Sequence, residues 1–389
     1  MRYIWKLWAL ALVACGGEGD PFARPESRID ATAAERGRPQ EVPGFPVLSC
    51  IDSIAAEGSL REVTAIAPPG RRRVPIAKDS NWYPAQITDL EVLDSGFAVL
   101  DAGAVEVHLF SSDFSRRQIL ARSGQGPGEY QNPQAIAAPP GRDELWILDR
   151  NPPRVLRYSA QGDHLSTTSL DRTGLDLVVD SAGNFYVSHL AIPSALLERG
   201  ADSLSTVVSF YAPDGRSRRD AVVMRRSDYG TRRFPLPGPN EIRLASLGGP
   251  LVAIIYTGSG VIEVFREGRL QHVINACMPE RVLKAYAEQR AAFEKGTMSQ
   301  RSFPLVTDVM LDPSGTMRAV GFAPDEDARY HIDSWELGTG QSAGSVAFMA
   351  PGVRLPPLLR FGVAWHDLVA AEEAGFVASF RVEVSAVSH

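Results

Sequence analysis

Two stretches decide the fold of this chain: FAVLDAGAVEVHLF at residues 97–110 and LWILDRNPPRVLRY at residues 145–158. Asp101 stands nine residues before Phe110, and Asp149 stands nine residues before Tyr158. Each stretch predicts a strand, a polar turn and another strand. The two aspartates are 48 residues apart, close to the ~40 to 50 residues of one propeller blade. The spacing therefore predicts two consecutive blades of a β-propeller.

Four further segments repeat parts of this unit: DSAGNFYV (180–187), PLVAIIYTGSGVIEVF (250–265), DPSGTMRAV (312–320) and WHDLVAAEEAGFVASFRVEV (365–384). The sequence thus predicts an all-β fold, a six-bladed β-propeller over residues 45–389. An N-terminal strand within residues 60–67 is expected to complete the last blade, and residues 279–295 predict one short helical insertion. The alternative is an open β-sandwich with long insertions, whose strands do not repeat one turn motif at this spacing.

The segment at residues 121–163, ARSGQGPGEYQNPQAIAAPPGRDELWILDRNPPRVLRYSAQGD, resembles the NHL-like blades of bacterial six-bladed β-propeller proteins. Its G-x-G-P-G-E-(F/Y)-x-x-P core carries the resemblance, which implies the architecture and little about function. Glycines and a proline in GQGPGEY permit tight turns, and Glu129 is expected to accept backbone N–H bonds from the next blade. A structural role of this loop is favoured over ligand contact.

The N-terminus has the features of an export signal. Positive Met1-Arg2 precedes a short apolar run, and Leu12-Val13-Ala14-Cys15 resembles the lipobox of bacterial lipoproteins. The resemblance implies that residues 1–14 are a signal peptide and that Cys15 is lipidated; Gly16, in place of Asp, implies the outer membrane. The alternative is an ordinary secretory signal with a coincidental cysteine. Residues 15–44 predict a flexible tether that holds the folded part on the order of 30 Å from the membrane.

Composition narrows the classes of function. Apolar residues make up 44% and charged residues 22%, as in soluble globular proteins, and the formal net charge of -6 argues against a nucleic-acid partner. In an oxidising compartment the two remaining cysteines, Cys50 and Cys277, can pair as a disulfide, although the sequence does not establish their distance.

Aligning the innermost strands of the blades gives one polar position in each blade. These positions are Asp89, Gln134, Asp176, Arg243, Asp308 and Arg360. We expect them to form a ring at one mouth of the axial channel, either as a ligand site or as charges that pair across blades to satisfy a wet channel. The aspartates on alternate blades have the oxygen ligands that calcium prefers, but the two arginines oppose a cation, so no cofactor is expected.

The loops that precede the inner strands are rich in arginine, at residues 71–73 and 225–240. They favour an anionic protein, peptide or glycan as partner. The sequence therefore predicts a membrane-anchored binding or scaffolding propeller outside the cytoplasm. The alternative is a lactonase-like, metal-dependent hydrolase or lyase that uses the channel mouth; no histidine falls in the ring, and no G-x-S-x-G motif occurs.

Overall fold

The computed structural model describes residues 47–48, 55–66, 85–111, 117–120, 123–191, 205–215, 218–225, 242–257, 261–275, 306–323, 329–337, 339, 342–349, 358–361, 367–372 and 376–384. These residues form strands and turns and contain no helix, so none of them belongs to a helix that could cross a bilayer. The helical insertion predicted for residues 279–295 lies outside the described residues.

The described residues form twenty-five strands. The first two precede the blades: β1 (Val47–Leu48) and β2 (Ala55–Ile66). Blade 1 contains β3 (Ile87–Leu93), β4 (Gly96–Asp101), β5 (Glu106–Ser111) and β6 (Arg117–Ile119). Blade 2 contains β7 (Pro133–Ala137), β8 (Glu144–Arg150), β9 (Pro153–Ser159) and β10 (His164–Ser169). Blade 3 contains β11 (Asp176–Val179), β12 (Phe185–Ala191), β13 (Ser205–Tyr211) and β14 (Arg218–Arg225).

The second half of the ring follows the same plan. Blade 4 contains β15 (Ile242–Ser246), β16 (Leu251–Tyr256), β17 (Val261–Arg266) and β18 (Arg269–Asn275). Blade 5 contains β19 (Asp308–Leu311), β20 (Thr316–Ala323), β21 (Arg329–Glu336) and β22 (Ser342–Met349). Blade 6 contains β23 (Leu358–Phe361), β24 (Asp367–Glu372), β25 (Phe376–Val384) and the earlier strand β2.

The first strand of each blade is the innermost one. These strands contact each other in the order β3, β7, β11, β15, β19 and β23, and β23 contacts β3 again. The ring is therefore closed by six antiparallel blades, as the sequence predicts.

Strand β2 closes the ring. It pairs antiparallel with β25, from Gly58 opposite Val384 to Ile66 opposite Val377, and so becomes the outer strand of blade 6. Its first residues also pair in parallel with β22, which joins blades 5 and 6 into one eight-stranded sheet. The prediction of an N-terminal closing strand is confirmed, and the strand begins earlier than residue 60.

Apolar side chains fill the spaces between neighbouring blades. Blades 1 and 2 enclose Leu100 and Ile136, and blades 2 and 3 enclose Trp146 and Phe185. Comparable clusters join blade 3 to blade 4 and blade 4 to blade 5. Both faces of a blade are thus buried, which explains the continuous apolar runs in the second strands, such as Leu145 to Leu148.

The repeated aspartate fastens the second strand of a blade to the chain that enters the blade. Asp101 accepts hydrogen bonds from the N–H groups of Ala85 and Gln86 (both 2.8 Å). Asp149 accepts equivalent bonds from Gln131 (3.2 Å) and Asn132 (2.8 Å). The motif that reveals the blades in the sequence is therefore structural: a fully buried carboxylate satisfies backbone donors at the blade entrance.

The GQGPGEY loop is also held by internal contacts. Glu129 accepts the N–H of Gly126 (2.7 Å) from within the loop, and not from the next blade as predicted. The loop's carbonyl oxygens at Glu129 and Gly128 accept bonds from Arg154 (2.7 Å) and from the hydroxyl of Tyr158 (2.7 Å). These contacts support the structural interpretation of the loop.

Candidate functional site

The polar side chains predicted for the axial channel lie inside the ring. Asp89, Asp176 and Asp308 expose 2%, 5% and 8% of their surface, and Arg360 exposes 9%. The sequence places them at a channel mouth, whereas the structure buries these four between the inner strands.

Each of the three aspartates joins its own blade to the next one. Asp89 and Asp176 each accept the N–H of the residue that follows them, both at 2.9 Å, and Asp308 accepts that of Val309. The other oxygen accepts an N–H from the inner strand of the next blade: from Ile136 to Asp89 (2.9 Å), from Leu244 to Asp176 (2.8 Å) and from Phe361 to Asp308 (2.8 Å). Blades 1, 3 and 5 supply the acceptor and blades 2, 4 and 6 the donor, so the ring alternates.

Arg360, on the inner strand of blade 6, forms hydrogen bonds in the same layer with the blades on both sides. Its guanidinium donates to Asp89 (3.2 Å), to the carbonyl of Leu90 (3.1 Å) in blade 1 and to the carbonyl of Thr307 (3.0 Å) in blade 5. Arg360 therefore links the blades on both sides of its own, and each of its three side-chain nitrogens has a partner within the protein.

Gln134 does not belong to this layer. A β-bulge shifts the register of blade 2 between Pro133 and Ala135, just as one shifts blade 1 between Ile87 and Asp89. The residue equivalent to Asp89 is therefore Ala135, and Gln134 corresponds to Thr88. The Gln134 amide donates to the side-chain oxygen of Asn132 (3.0 Å) instead.

Arg243 occupies the ring position in blade 4. Unlike Arg360 it is only half-buried, and its guanidinium makes no hydrogen bond or ion pair within the part of the chain that the structure describes. It acts on Asp176 and Asp308 through its charge.

A cavity of about 600 Å³ lies directly beyond the ring layer. Asp308 and Arg360 belong to its floor, and all six inner strands contribute to its wall. It opens at the end of the ring where the inner strands turn into the second strands, next to Asp94 and Gly248. This is the end opposite to the loops that precede the inner strands.

Glu91 is the acidic side chain of the cavity wall, two residues beyond Asp89 on the same face of β3. Its carboxylate accepts the N–H of Ala138, one rung beyond the bond from Ile136 to Asp89. The equivalent positions of the next four blades are apolar: Ala137, Val178, Ala245 and Met310. The sequence analysis overlooked Glu91, although alternation along a strand places residues 89 and 91 on one face.

Burial controls the ionisation of these groups. Desolvation raises the pKa of Glu91 to about 8, against the lowering effect of Arg360. Desolvation also raises the pKa of Asp176 to about 6, although Arg243 opposes the shift, and it raises the pKa of Asp308. For Arg360, burial would lower the pKa, but the surrounding carboxylates outweigh burial and raise it. At neutral pH the ring layer therefore has fewer guanidinium groups than carboxyl groups.

The described residues do not form a metal centre. No three histidine, cysteine, aspartate or glutamate side chains among them are arranged to hold an ion. The three ring aspartates each spend both oxygens on backbone donors, and the histidines of the described strands lie on second, third or fourth strands. The sequence leaves open whether the ring aspartates bind calcium. The geometry of the described residues does not support calcium binding there.

Several predicted features lie outside the described residues. These are the lipidation site Cys15, both cysteines of the predicted disulfide, Cys50 and Cys277, and the arginine-rich loops at residues 71–73 and 226–240. The signal peptide, the tether and an anionic partner at the loop-rich face stay predictions.

Fold and site together define a closed six-bladed β-propeller with a small axial cavity. In agreement, residues 79–192 match the model of the DUF5128 family, described as a 6-bladed beta-propeller. Among proteins with curated functions, none matches the sequence.

Two solved structures share the architecture. A candidate exported protein from Bacteroides fragilis is 11% identical, with 88% of this chain and 100% of that chain covered and a TM-score of 0.51. A member of the duf4221 family from Bacteroides vulgatus is 10% identical, with 85% and 100% covered and a TM-score of 0.53. At this identity the likeness extends to the fold alone.

Proposed function

We propose that this protein is an extracytoplasmic, lipid-anchored β-propeller that binds a small ligand in its axial cavity. The observation that carries the proposal is the cavity itself, which has about 600 Å³ and receives residues from all six blades. Small-molecule sites typically have about 300 to 1,000 Å³, a largely apolar wall and a few polar groups.

Binding is favoured over metal-dependent catalysis because the polar groups of the cavity floor already form hydrogen bonds within the protein. Asp308 accepts two backbone bonds, and Arg360 donates to Asp89 and to two carbonyl groups. A metal-dependent hydrolase or lyase needs several side chains whose free lone pairs converge on one ion, whereas Glu91 is a single carboxyl group in the cavity wall. Location outside the cytoplasm is supported by the export signal in the sequence and by the fold shared with a candidate exported protein of Bacteroides fragilis.

The test compares three probes of equal chain length: hexylammonium, hexanoate and hexanol. We expect at least one of them to raise the melting temperature of the protein, because a ligand that binds only the folded state stabilises it. Ser246 lines the cavity and is half-buried, so Ser246→Trp should fill the cavity and abolish the shift, whereas Ser246→Ala should keep it. No shift with any probe, or an equal shift in Ser246→Trp, would overturn the proposal.

Elemental analysis of the purified protein separates this function from the metal-dependent alternative. Stoichiometric calcium or zinc, together with a melting temperature that falls on chelation, would favour a hydrolase or lyase instead. Metal-free protein whose melting is unchanged by a chelator supports binding.

A further inference from the structure

We infer that the axial cavity is a site for a small organic cation, an ammonium group on an apolar body, with Glu91 as its counter-ion. This inference rests on the proposed function and adds the chemical class of the ligand. It follows from the position of one carboxyl group, the apolar wall around it and the sign of the surrounding charge.

The first step is the asymmetry of the cavity wall. Glu91 lies in a layer whose other described members are Ala137, Val178, Ala245 and Met310. In this layer one carboxyl group stands among apolar side chains, an arrangement that can orient a ligand with one charged end and an apolar body.

The second step is the availability of each charge. Arg360 spends its positive charge on Asp89 and on backbone carbonyls, and both Asp89 and Asp308 accept two backbone bonds. Glu91 accepts only the N–H of Ala138 in the described structure, so its remaining lone pairs are open to a ligand.

The third step is the net charge along the path into the cavity. Apart from Glu91, which is mostly protonated at pH 7, the described inner strands carry three carboxyl groups and two guanidinium groups. Among the described residues at the mouth, Asp94 and Asp143 accompany the base Arg142, while Glu144 is paired with Arg157 (2.9 Å). A cavity lined by an excess of one sign attracts ligands of the other sign and raises their local concentration.

The fourth step is the response of Glu91 to such a ligand. The pKa of Glu91 is raised to about 8, so the group is mostly protonated at pH 7 when the cavity holds no charge. An ammonium group next to it favours the carboxylate and lowers this pKa. Binding of the cation at pH 7 therefore transfers the proton of Glu91 to the buffer, and the ligand keeps its own proton.

Calorimetric titration with hexylammonium at pH 7, in phosphate and in Tris, measures both affinity and proton release. The difference between the two buffers should report release of nearly one proton per bound cation. Glu91→Gln keeps the acceptor for Ala138 but removes the charge, so it should weaken hexylammonium about 10- to 100-fold and abolish proton release. Asp163→Asn removes an exposed charge in blade 2 that does not line the cavity and serves as the control, with an affinity within about threefold of the parent.

The outcomes distinguish this inference from the proposed function. Hexanoate or hexanol binding as tightly as hexylammonium, and lost in Ser246→Trp, would overturn the choice of a cation and leave the cavity as a binding site. Hexylammonium binding that is unchanged in Glu91→Gln would overturn the role of Glu91. Absence of binding by all three probes would overturn both proposals.

Discussion

The polar side chains in the channel are of two kinds: those whose hydrogen bonds join neighbouring blades, and those that have few partners within the described protein. Asp89 and Arg360 are 271 residues apart in sequence and form an ion pair. Asp89 also accepts a backbone N–H from blade 2, and Arg360 also donates to backbone carbonyl groups of blades 1 and 5. Such a buried pair costs desolvation energy, which good geometry and further hydrogen bonds offset. Glu91 has no such set of partners, and its protonation depends on what the cavity contains.

The two ring arginines should respond differently to neutralisation. Arg360→Gln leaves Asp89 and Asp308 buried without the cation that acts on both of them, so it should reduce the free energy of unfolding by about 3 to 5 kcal/mol. Arg243→Gln is the matched control, because Arg243 is half-buried and makes no hydrogen bond within the described chain. It should cost less than about 1 kcal/mol. Chemical denaturation of both variants measures the difference. Equal decreases in the free energy of unfolding would contradict the role of Arg360 in joining the blades.

The stability of the protein should depend on pH through Glu91. The folded-state pKa of this carboxyl is raised from 4.5 to about 8, so the folded protein holds a proton that the unfolded chain has lost. By linkage, stability falls as pH rises from about 4.5 to about 8. Arg360, Asp89 and Asp308 are the charged groups that act on Glu91.

Glu91→Gln should remove this dependence. Its melting temperature should match the parent at pH 5 and exceed it at pH 9, because the amide has no charge to bury. Asp94→Asn, at an exposed position, should follow the parent curve. Parallel melting curves of the parent and Glu91→Gln between pH 5 and 9 would contradict the raised pKa of this carboxyl.

Sequence periodicity predicts the inner strands but not their bulges. The polar positions in blades 3, 4, 5 and 6 align correctly because Asp or Arg is the one charged residue of each described inner strand. Blades 1 and 2 share the same bulge, but the ring position of blade 2 is the apolar Ala135, so the nearest polar residue, Gln134, does not mark the ring layer. A bulge adds one residue through a local change of backbone torsion, and PQAIA has no glycine or proline at Gln134 that would reveal it.

At the scale of strands, the N-terminal chain contacts two distant parts of the ring. Strand β1 pairs in parallel with β18, and Leu48 lies opposite Ile274. These residues stand two and three positions before Cys50 and Cys277. Since adjacent strands lie about 4.8 Å apart and a residue spans at most about 3.6 Å, the chain allows the two cysteines to meet.

We therefore expect a disulfide between Cys50 and Cys277 in protein recovered from the oxidising compartment. Mass spectrometry of a non-reduced digest should find the linked peptides. Reduction should lower the stability of the parent by about 2 to 5 kcal/mol and leave Cys50→Ser unaffected. Two free thiols in the non-reduced protein would exclude the bond.

The whole molecule combines a ring that is closed by its own N-terminal strand with a long segment before that strand. The first described strand, β1, lies at the outer edge of blade 4, and 46 residues precede it. Because β1 pairs with the outer strand of blade 4, the chain joins the described ring at its side and not at the axial cavity.

Attachment to a membrane should depend on Cys15. The parent should accept a radiolabelled or clickable fatty acid and sediment with membranes, because each buried methylene contributes about 0.8 kcal/mol and a stable anchor needs more than one acyl chain. Cys15→Ser should lose the label and remain in the soluble extracytoplasmic fraction. Cys50→Ser is the control, since it removes another cysteine of the N-terminal region and should stay with the membrane. Sedimentation of Cys15→Ser with membranes would show that attachment does not depend on lipidation of Cys15. An unlabelled parent that stays in the soluble extracytoplasmic fraction would show that the segment is an ordinary secretory signal.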